Sequence, residues 1–286
     1  MQEKFDKDYT IKSDSPPHVP TLEVTTKIGC KVNCKYCPQQ MLVKKYRERS
    51  NEFDLSIENF KKCIDKLPKN VIICFAGFSE PFLSPFAVEM INYASNSRHE
   101  VSLFTTLVGL TSEMFEEIRH VPFRKVVVHL PDVNNYSNIP VTKEYLDLLI
   151  TIIKAKKPDG RVFVDKMTCQ SPPQKSVFEL VRNKFHISWR MTNRAGNLPY
   201  SELVSNDNII GDLRCRLSDY NHNVLLPNGD MVLCSMDFGL KHTLGNLLRM
   251  DYLDIMKSSV MMRIQSKERA STSNLLCHNC SEAVLI

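Results

Sequence analysis

The sequence lacks any apolar run long enough to cross a membrane. Although 43% of its 286 residues are hydrophobic, none of the apolar stretches approaches the roughly 18 consecutive residues that a transmembrane helix needs. Its first residues, Met-Gln-Glu-Lys-Phe-Asp-Lys-Asp, mix both charges and have no apolar centre like that of a signal peptide. These absences predict a cytoplasmic protein with no membrane partner.

The chain also has no cluster of charge of one sign, no internal repeat and no low-complexity segment. Lys and Arg total 37 against 32 Asp and Glu, and the formal charge of +5 is spread along the sequence. An excess this dilute does not form the basic patch that binds nucleic acid, so no nucleic-acid partner is expected. The length instead favours one large α/β domain with a smaller appendage.

Cysteine is plentiful, with ten residues, yet the pattern is not that of a small disulfide-stabilised secreted domain. Seven cysteines fall in metal-like spacings, three as Cys30, Cys34 and Cys37 and four as Cys215, Cys234, Cys277 and Cys280. Cys63 and Cys74 stand in apolar runs, and we expect both to be buried structural thiols. The cysteines therefore indicate metal binding at two places in the chain.

The first cysteine group follows a strand-like run, Leu22–Lys27, with the spacing C-x3-C-x2-C. A closed structural zinc site takes four ligands, whereas this loop offers three thiols and no histidine nearby. One coordination position is left open, which favours a metal cluster that binds a further ligand. A zinc knuckle is the alternative interpretation.

With an aromatic residue, Tyr36, directly before its last cysteine, this loop resembles the cluster loop of the radical S-adenosylmethionine (radical SAM) superfamily. The resemblance implies that Cys30, Cys34 and Cys37 bind three irons of a 4Fe–4S cluster and that SAM chelates the fourth iron. It also implies reductive cleavage of SAM to a 5′-deoxyadenosyl radical, which abstracts hydrogen from a substrate. The protein then supplies ligation, positioning and exclusion of water.

Short β-branched runs alternate with amphipathic stretches from Leu22 onward, as in βα units around a parallel sheet. The predicted strands are Leu22–Lys27, Val71–Phe75, Val101–Thr105, Lys125–Leu130, Arg161–Lys166 and His186–Met191. The predicted helices are Ser56–Leu67, Pro85–Ser95, Ser112–His120, Lys143–Lys156 and Gln174–Lys184. Periodicity alone also allows an open doubly wound sheet. The resemblance implies an α/β partial (β/α)6 barrel with its cluster at the carboxyl ends of the strands.

A strand, turn and helix at Cys74–Leu83 resemble the Gly-Gly-Glu-Pro motif of the superfamily, whose strand-end backbone binds the amino group of SAM. The resemblance implies that Gly77, Ser79 and Glu80 contact SAM. Phe78 and Ser79 stand where the motif prefers glycine. A solvated turn glutamate is the alternative interpretation of Glu80.

Polar residues also fall at the ends of later predicted strands. Thr105 and Thr106 end the third strand, where family members often carry polar residues near SAM or substrate. His129 and Asp132 end the fourth strand and are candidate substrate contacts, with hydrogen-bonded structural roles as the alternative. Cys169, in a loop after the fifth strand, is a candidate catalytic hydrogen-atom donor, with an inert thiol as the alternative.

The segment Asn-Arg-Ala-Gly-Asn at 193–197 resembles one that recurs in radical SAM enzymes with a C-terminal auxiliary-cluster domain. Its arginine, Arg194, can present a planar fork to a carboxylate or to vicinal hydroxyls. The resemblance implies that Arg194 contacts SAM or substrate.

The second cysteine group accompanies a hairpin signal, Asn-Gly between two alternating apolar runs at 223–234. Together with the helix-like Tyr252–Ser259 and the terminal C-x2-C, it resembles the SPASM/twitch group of radical SAM enzymes, including those of the deoxy-scyllo-inosamine dehydrogenase type. The resemblance implies one auxiliary 4Fe–4S cluster on Cys215, Cys234, Cys277 and Cys280. Four thiols could instead bind zinc.

The resemblance divides the chain into an irregular leader at 1–20, a radical SAM barrel at 21–200 and a twitch-like domain at 201–286. It implies an oxidoreductase that removes two electrons from a small polar substrate, such as a sugar or aminocyclitol, with the auxiliary cluster as electron acceptor. Flavodoxin or ferredoxin is the expected electron donor.

Three alternatives to this function stay open. The first is a peptide-modifying enzyme, although only about 20 residues precede the predicted barrel, where such enzymes often carry a recognition domain. An epimerase that uses Cys169 is the second. A zinc-stabilised scaffold is the non-enzymatic alternative.

Overall fold

A computed structural model describes residues 19–189, 191–198, 209–216, 220–265 and 275–285. The predicted leader at 1–20 therefore lies almost wholly outside the described residues. The same holds for residues 199–208, around the predicted boundary between the two domains, and for Arg190 in the sixth predicted strand.

Six parallel strands alternate with helices along the first part of the chain. The strands are β1 (Thr21–Val24), β2 (Ile72–Phe75), β3 (Val101–Thr105), β4 (Lys125–His129), β5 (Lys166–Cys169) and β6 (Ile187–Trp189). The helices are α1 (Gln39–Arg47), α2 (Ile57–Ile64), α3 (Ala87–Asn96), α4 (Ser112–Ile118), α5 (Lys143–Lys154) and α6 (Lys175–Val181). Each strand pairs in parallel with the next one in sequence, which confirms the predicted α/β barrel arrangement.

Five further strands and two helices follow. They are β7 (Leu213–Cys215), β8 (His222–Leu225), β9 (Asp230–Val232), β10 (Thr243–Asn246), α7 (Tyr252–Met256), α8 (Ser259–Gln265) and β11 (Ala283–Leu285). The predicted hairpin is confirmed as the antiparallel pair β8–β9. β8 also pairs in parallel with β1, so β8, β9 and β10 extend the barrel sheet to nine strands, while β7 and β11 form a separate antiparallel pair.

Two features of the barrel differ from the sequence prediction. α1 follows the cysteine loop and was not predicted, because its sequence Gln-Gln-Met-Leu-Val-Lys-Lys-Tyr-Arg is mostly polar. The fifth strand was predicted at Arg161–Lys166, which is wrong, because pairing with β4 begins only at Lys166. Asp165 ends the preceding segment, where its carboxylate accepts a hydrogen bond from the Val126 N–H at 2.6 Å.

The main core lies between the outer face of the sheet and the helices. Aromatic rings interlock there, with centroids 5.9 Å apart for Phe60 and Phe75 and 5.1 Å apart for Phe115 and Phe163. Cys63 is fully buried in this core, as predicted for a structural thiol. Alternate residues of the strands point the other way and surround a lumen.

None of the helices in the described ranges is both long and apolar enough to span a lipid bilayer.

Candidate functional site

The cysteine loop, the turn after β2 and the ends of β3 and β4 enclose one cavity of about 460 Å³. Cys30, Cys34 and Cys37 all line it. Because the loop connects β1 to α1, these thiols lie at the carboxyl ends of the parallel strands, where α/β folds bind ligands.

Gln39, the first residue of α1, fixes the cysteine loop against the neighbouring strand. Its amide nitrogen donates to the Phe78 carbonyl oxygen at 2.7 Å and to the Cys37 sulfur at 3.2 Å. Its amide oxygen accepts from the Cys30 N–H at 3.3 Å. Sequence analysis missed this residue, since a buried glutamine beside a cysteine motif has no distinctive pattern.

The three loop thiols have surroundings that suit iron ligands. The Glu80 N–H donates to the Cys30 sulfur at 3.5 Å, and such hydrogen bonds tune clusters. Burial raises the pKa of Cys34 to about 12, and the nearby charges of Cys37 and Cys30 also raise it. Three bare thiolates are therefore unfavourable here, whereas cationic iron would stabilise them.

The turn after β2 brings its backbone against the cavity. Gly77 has a φ of +73°, and a Cβ atom there would lie 2.4 Å from the Thr25 hydroxyl, so only glycine fits. Phe78 replaces a motif glycine and packs edge-on against Phe238, with ring centroids 4.9 Å apart. The Ser79 hydroxyl is buried with no hydrogen-bond partner among the described residues, and Ser79 lines the cavity. An unsatisfied hydroxyl in this wall fits a polar ligand.

Glu80 joins the turn to the end of β3 through its carboxylate. Oε1 accepts from the Thr105 hydroxyl at 2.7 Å, and Oε2 accepts from the Thr106 N–H at 2.6 Å and hydroxyl at 2.7 Å. Burial raises the pKa of Glu80, against the lowering effect of these hydrogen bonds. All three predicted residues line the cavity, and the glutamate side chain holds them together.

Arg194 lies over Tyr36 at the edge of the cysteine loop. Its guanidinium carbon is 5.5 Å from the Tyr36 ring centroid, and its Nε donates to the Tyr36 carbonyl at 3.3 Å. The same guanidinium carbon lies 5.8 Å from the Phe238 ring centroid. Both Tyr36 and Arg194 line the cavity, so the structure brings a cation beside the three thiols.

His129 and Asp132, the two candidates after β4, have different surroundings. His129 lines the cavity, its Nδ1 is 2.7 Å from the Thr168 hydroxyl, and burial with the nearby Arg194 charge lowers its pKa to about 4. Asp132 is fully buried and accepts hydrogen bonds from the Ser137 N–H and the Ser171 hydroxyl. Asp132 therefore supports the loop structurally, while a neutral His129 faces the ligand space.

Cys169 was predicted in a loop, and this placement is wrong, because it is the last residue of β5. Its side chain is 1% exposed and belongs to the core, while its neighbour Thr168 lines the cavity. The alternation of the strand turns Cys169 away from the lumen. Its predicted role as a hydrogen donor has no support from this geometry.

The four cysteines of the second group come together from separate elements. Cys215 ends β7, Cys234 follows β9, and Cys277 and Cys280 occupy a 3-10 turn and the position after it. Burial and the charges of Cys277 and Cys280 hold the pKa of Cys234 well above its usual value. Burial raises the pKa of Cys280 to about 11, and the charge of Cys215 contributes. Cys277 and Cys280 are buried and Cys215 and Cys234 are partly buried, and this sulfur-rich group again suits a cationic cluster.

Residues 215–281 match the family model of SPASM, an iron–sulfur cluster-binding domain. They form a SPASM domain. This match spans all four cysteines of the second group.

Solved structures share the fold over nearly the whole chain. BtrN in complex with AdoMet and 2-DOIA matches with a TM-score of 0.59 at 16% identity, covering 92% of each chain. Streptococcus suis SuiB bound to precursor peptide SuiA matches with a TM-score of 0.53 at 13% identity, covering 92% of this chain and 70% of SuiB. The protein anSMEcpe with AdoMet and the Cp18Cys peptide matches with a TM-score of 0.53 at 13% identity, covering 91% and 86%.

The fold is that of radical SAM enzymes with a SPASM domain, which confirms the predicted resemblance. No curated protein sequence gives a significant match.

Sequence analysis missed a row of side chains inside the radical SAM barrel. Glu23 pairs in register with Cys74, Cys74 with Ser102, and Ser102 with Lys125, and all four line the cavity. Burial raises the pKa of Glu23, opposed by hydrogen bonds from Ser235 and the Gly77 backbone. Alternation along each strand indicates which side chains face inward. The register between the strands is also needed to predict that these four side chains form one row.

Proposed function

We propose that this protein is a radical SAM oxidoreductase that removes two electrons from a small polar substrate. The observation that carries the proposal is the single cavity lined by Cys30, Cys34, Cys37, Ser79 and Arg194. It combines three cluster ligands with polar groups suited to a zwitterionic cofactor. The SPASM domain supports a second cluster.

Different residues around the cavity would bind the cluster and SAM. Cys30, Cys34 and Cys37 would hold a 4Fe–4S cluster, with Ser79 and Arg194 positioned for the polar groups of SAM. When bound, the cluster and SAM supply a 5′-deoxyadenosyl radical that removes a carbon-bound hydrogen atom from the substrate. Arg194 suits the SAM carboxylate, because its guanidinium is a planar double donor.

Residues of the lumen would accept the proton that the substrate releases. Oxidation of an alcohol also releases its hydroxyl proton, which needs an acceptor near the substrate. Glu23 faces the lumen, and burial raises its pKa, which makes its carboxylate a stronger base. His129 stays neutral at pH 7 and can hydrogen-bond a substrate hydroxyl.

The second cysteine group would hold the auxiliary cluster that takes up the electron left on the substrate. Four thiols fill every protein-ligand position of such a cluster, which favours electron transfer over substrate chelation. A flavodoxin- or ferredoxin-like protein would supply the electron for SAM cleavage.

The test begins with iron content and SAM cleavage. Anaerobically purified protein should contain about eight irons, as expected for two 4Fe–4S clusters, and should form 5′-deoxyadenosine when reduced. The triple variant Cys30→Ala/Cys34→Ala/Cys37→Ala should keep about four irons and lose cleavage. Colourless, zinc-loaded protein would refute the proposal in favour of a zinc-stabilised scaffold.

A peptide substrate is the second candidate, because SuiB and anSMEcpe were both solved with peptides bound. Anaerobic reactions with sugars, aminocyclitols and candidate peptides, analysed by mass spectrometry, separate the two. Product lighter by two hydrogens supports oxidation. Unchanged mass in ordinary water, together with a gain of one mass unit in deuterated water, supports epimerisation instead.

A further inference from the structure

The lumen is basic at the end away from the cysteine loop. Lys125 begins β4, and the alternate residues Lys125, Val127 and His129 of that strand all line the cavity. From β5, Lys166 and Thr168 line it in the same way. Because a strand rises about 3.3 Å per residue, Lys125 lies about 13 Å from His129 along β4.

A second, larger cavity of about 970 Å³ opens at the same end and shares Arg124, Lys125 and Lys166 with the lumen. Its described lining holds five Lys and Arg residues against two carboxylates, Glu100 and Asp165. The basic end of the lumen is therefore also the wall of an open cleft. An anionic molecule approaching there meets a net positive surface.

The two carboxylates of the cleft are already engaged. Glu100 pairs with Arg124 at 2.7 Å. Asp165 pairs with Lys157 at 2.6 Å, and Lys157 is almost completely buried. Neither acid is available to neutralise Lys125.

The two carboxylates inside the lumen are engaged as well. Glu80 accepts hydrogen bonds from Thr105 and Thr106. Glu23 lies in the same register row as Lys125 but is held by Ser235 and the Gly77 backbone. Within the described ranges, no carboxylate forms an ion pair with Lys125. Lys125 lines both the lumen and the cleft, so its charge is accessible to an anion that enters either cavity.

We propose that the substrate carries an anionic group, a carboxylate or a phosphate, which Lys125 binds at the end of the lumen that Lys166 also lines. The inference rests on the proposed function and narrows its substrate class to an acidic sugar or similar small acid. The anion lies at the basic end of the lumen, and the carbon to be oxidised points toward the cysteine loop. An aminocyclitol is disfavoured, because its ammonium group would face the ammonium group of Lys125.

The test measures ligand binding to the anaerobic holoprotein by calorimetry at low salt. Inorganic phosphate, glucose 6-phosphate and glucuronate should bind, whereas glucose and glucosamine should bind more weakly by about tenfold or more. The two sugar acids separate a phosphate site from a carboxylate site. Lys125→Met should weaken anion binding by about tenfold or more, and Lys125→Arg should retain it. Lys62→Met, on an exposed face of α2, is the matched control and should bind like the parent.

Three results would overturn the inference. They are equal binding of glucose and its acids, anion binding by Lys125→Met as tight as by the parent, and no saturable anion binding at millimolar concentrations. Iron content and 5′-deoxyadenosine formation are measured on the same preparations. Protein that cleaves SAM but binds no anion refutes the inference alone. Protein that binds anions through Lys125 but holds no iron refutes the proposed function and leaves the anion site intact.

Discussion

At the residue scale, the site combines side chains that the sequence signals with others that only the fold reveals. The cysteine loop could be predicted because all three cysteines lie within a short segment, where spacing alone defines the motif. Gln39, Glu23 and Lys125 could not, because each acts on residues distant in sequence. The Gln39 amide, for example, meets the carbonyl of Phe78 across a gap of 39 positions.

Gln39 gives a prediction at this scale. Gln39→Ala leaves the Phe78 carbonyl and the Cys30 N–H without partners, so we expect a loss of about 1–3 kcal/mol in the free energy of unfolding. Iron retention by the cysteine loop should fall with it. Urea unfolding and iron analysis, both under anaerobic conditions, measure the two effects.

The matched control for this prediction is the next residue of α1. Gln40→Ala changes an exposed glutamine of the same helix and should alter neither stability nor iron content by a measurable amount. Similar losses in both variants would mean that the helix itself, and not the Gln39 hydrogen bonds, holds the loop.

At the element scale, hydrophobic alternation predicted most strands. Two elements, β5 and α1, differ from the prediction. β3 matches its predicted bounds, because it begins and ends with the β-branched residues Val101 and Thr105 and four of its five residues are buried. β5 was placed too early, because the apolar Phe163 and Val164 are buried but do not pair with β4. α1 was not predicted, because its sequence is mostly polar and its apolar stripe is too short to indicate a helix.

The turn of the β8–β9 hairpin gives the prediction for this scale. Gly229 has a φ of +85°, and a Cβ atom there would lie 2.6 Å from Leu248 Cγ. Gly229→Ala should therefore lower the free energy of unfolding by about 2–5 kcal/mol, because alanine is strained in a left-handed backbone and its Cβ atom overpacks against Leu248. Because Cys234 follows β9, iron on the second cysteine group should also decrease.

Gly160 supplies a control with almost the same backbone conformation. Its φ is +84°, but nothing lies within 4 Å of an added Cβ atom. Gly160→Ala should lower the free energy of unfolding by only about 1–2 kcal/mol, because only the strain of the left-handed backbone is added. The variant should keep its iron. If both variants lose the same free energy of unfolding in urea, the contact with Leu248 contributes nothing.

At the scale of the whole molecule, the SPASM domain and the barrel share a sheet. β8 pairs with β1 along four residues, and Arg49 of the barrel donates to the Leu240 carbonyl and the Thr243 hydroxyl. The hairpin sequence predicts its own turn but says nothing about which strand it will join. This joining brings Phe238 against Phe78 and Met236 against Arg194, beside the cysteine loop.

The shared sheet predicts that loss of the second cysteine group destabilises the barrel as well. In Cys234→Ser/Cys280→Ser we expect about half of the iron and one cooperative thermal transition. A loss of about 2 kcal/mol or more would lower Tm by about 4 °C or more. Cys63→Ala, in the core on α2 and outside both cysteine groups, should keep its iron and so separates iron loss from a simple packing defect. Two separate transitions, with the upper one at the parent Tm, would mean that the β1–β8 pairing does not couple the two parts. A single lowered transition means that the cluster on the SPASM domain stabilises the strand that leads into the first cysteine loop.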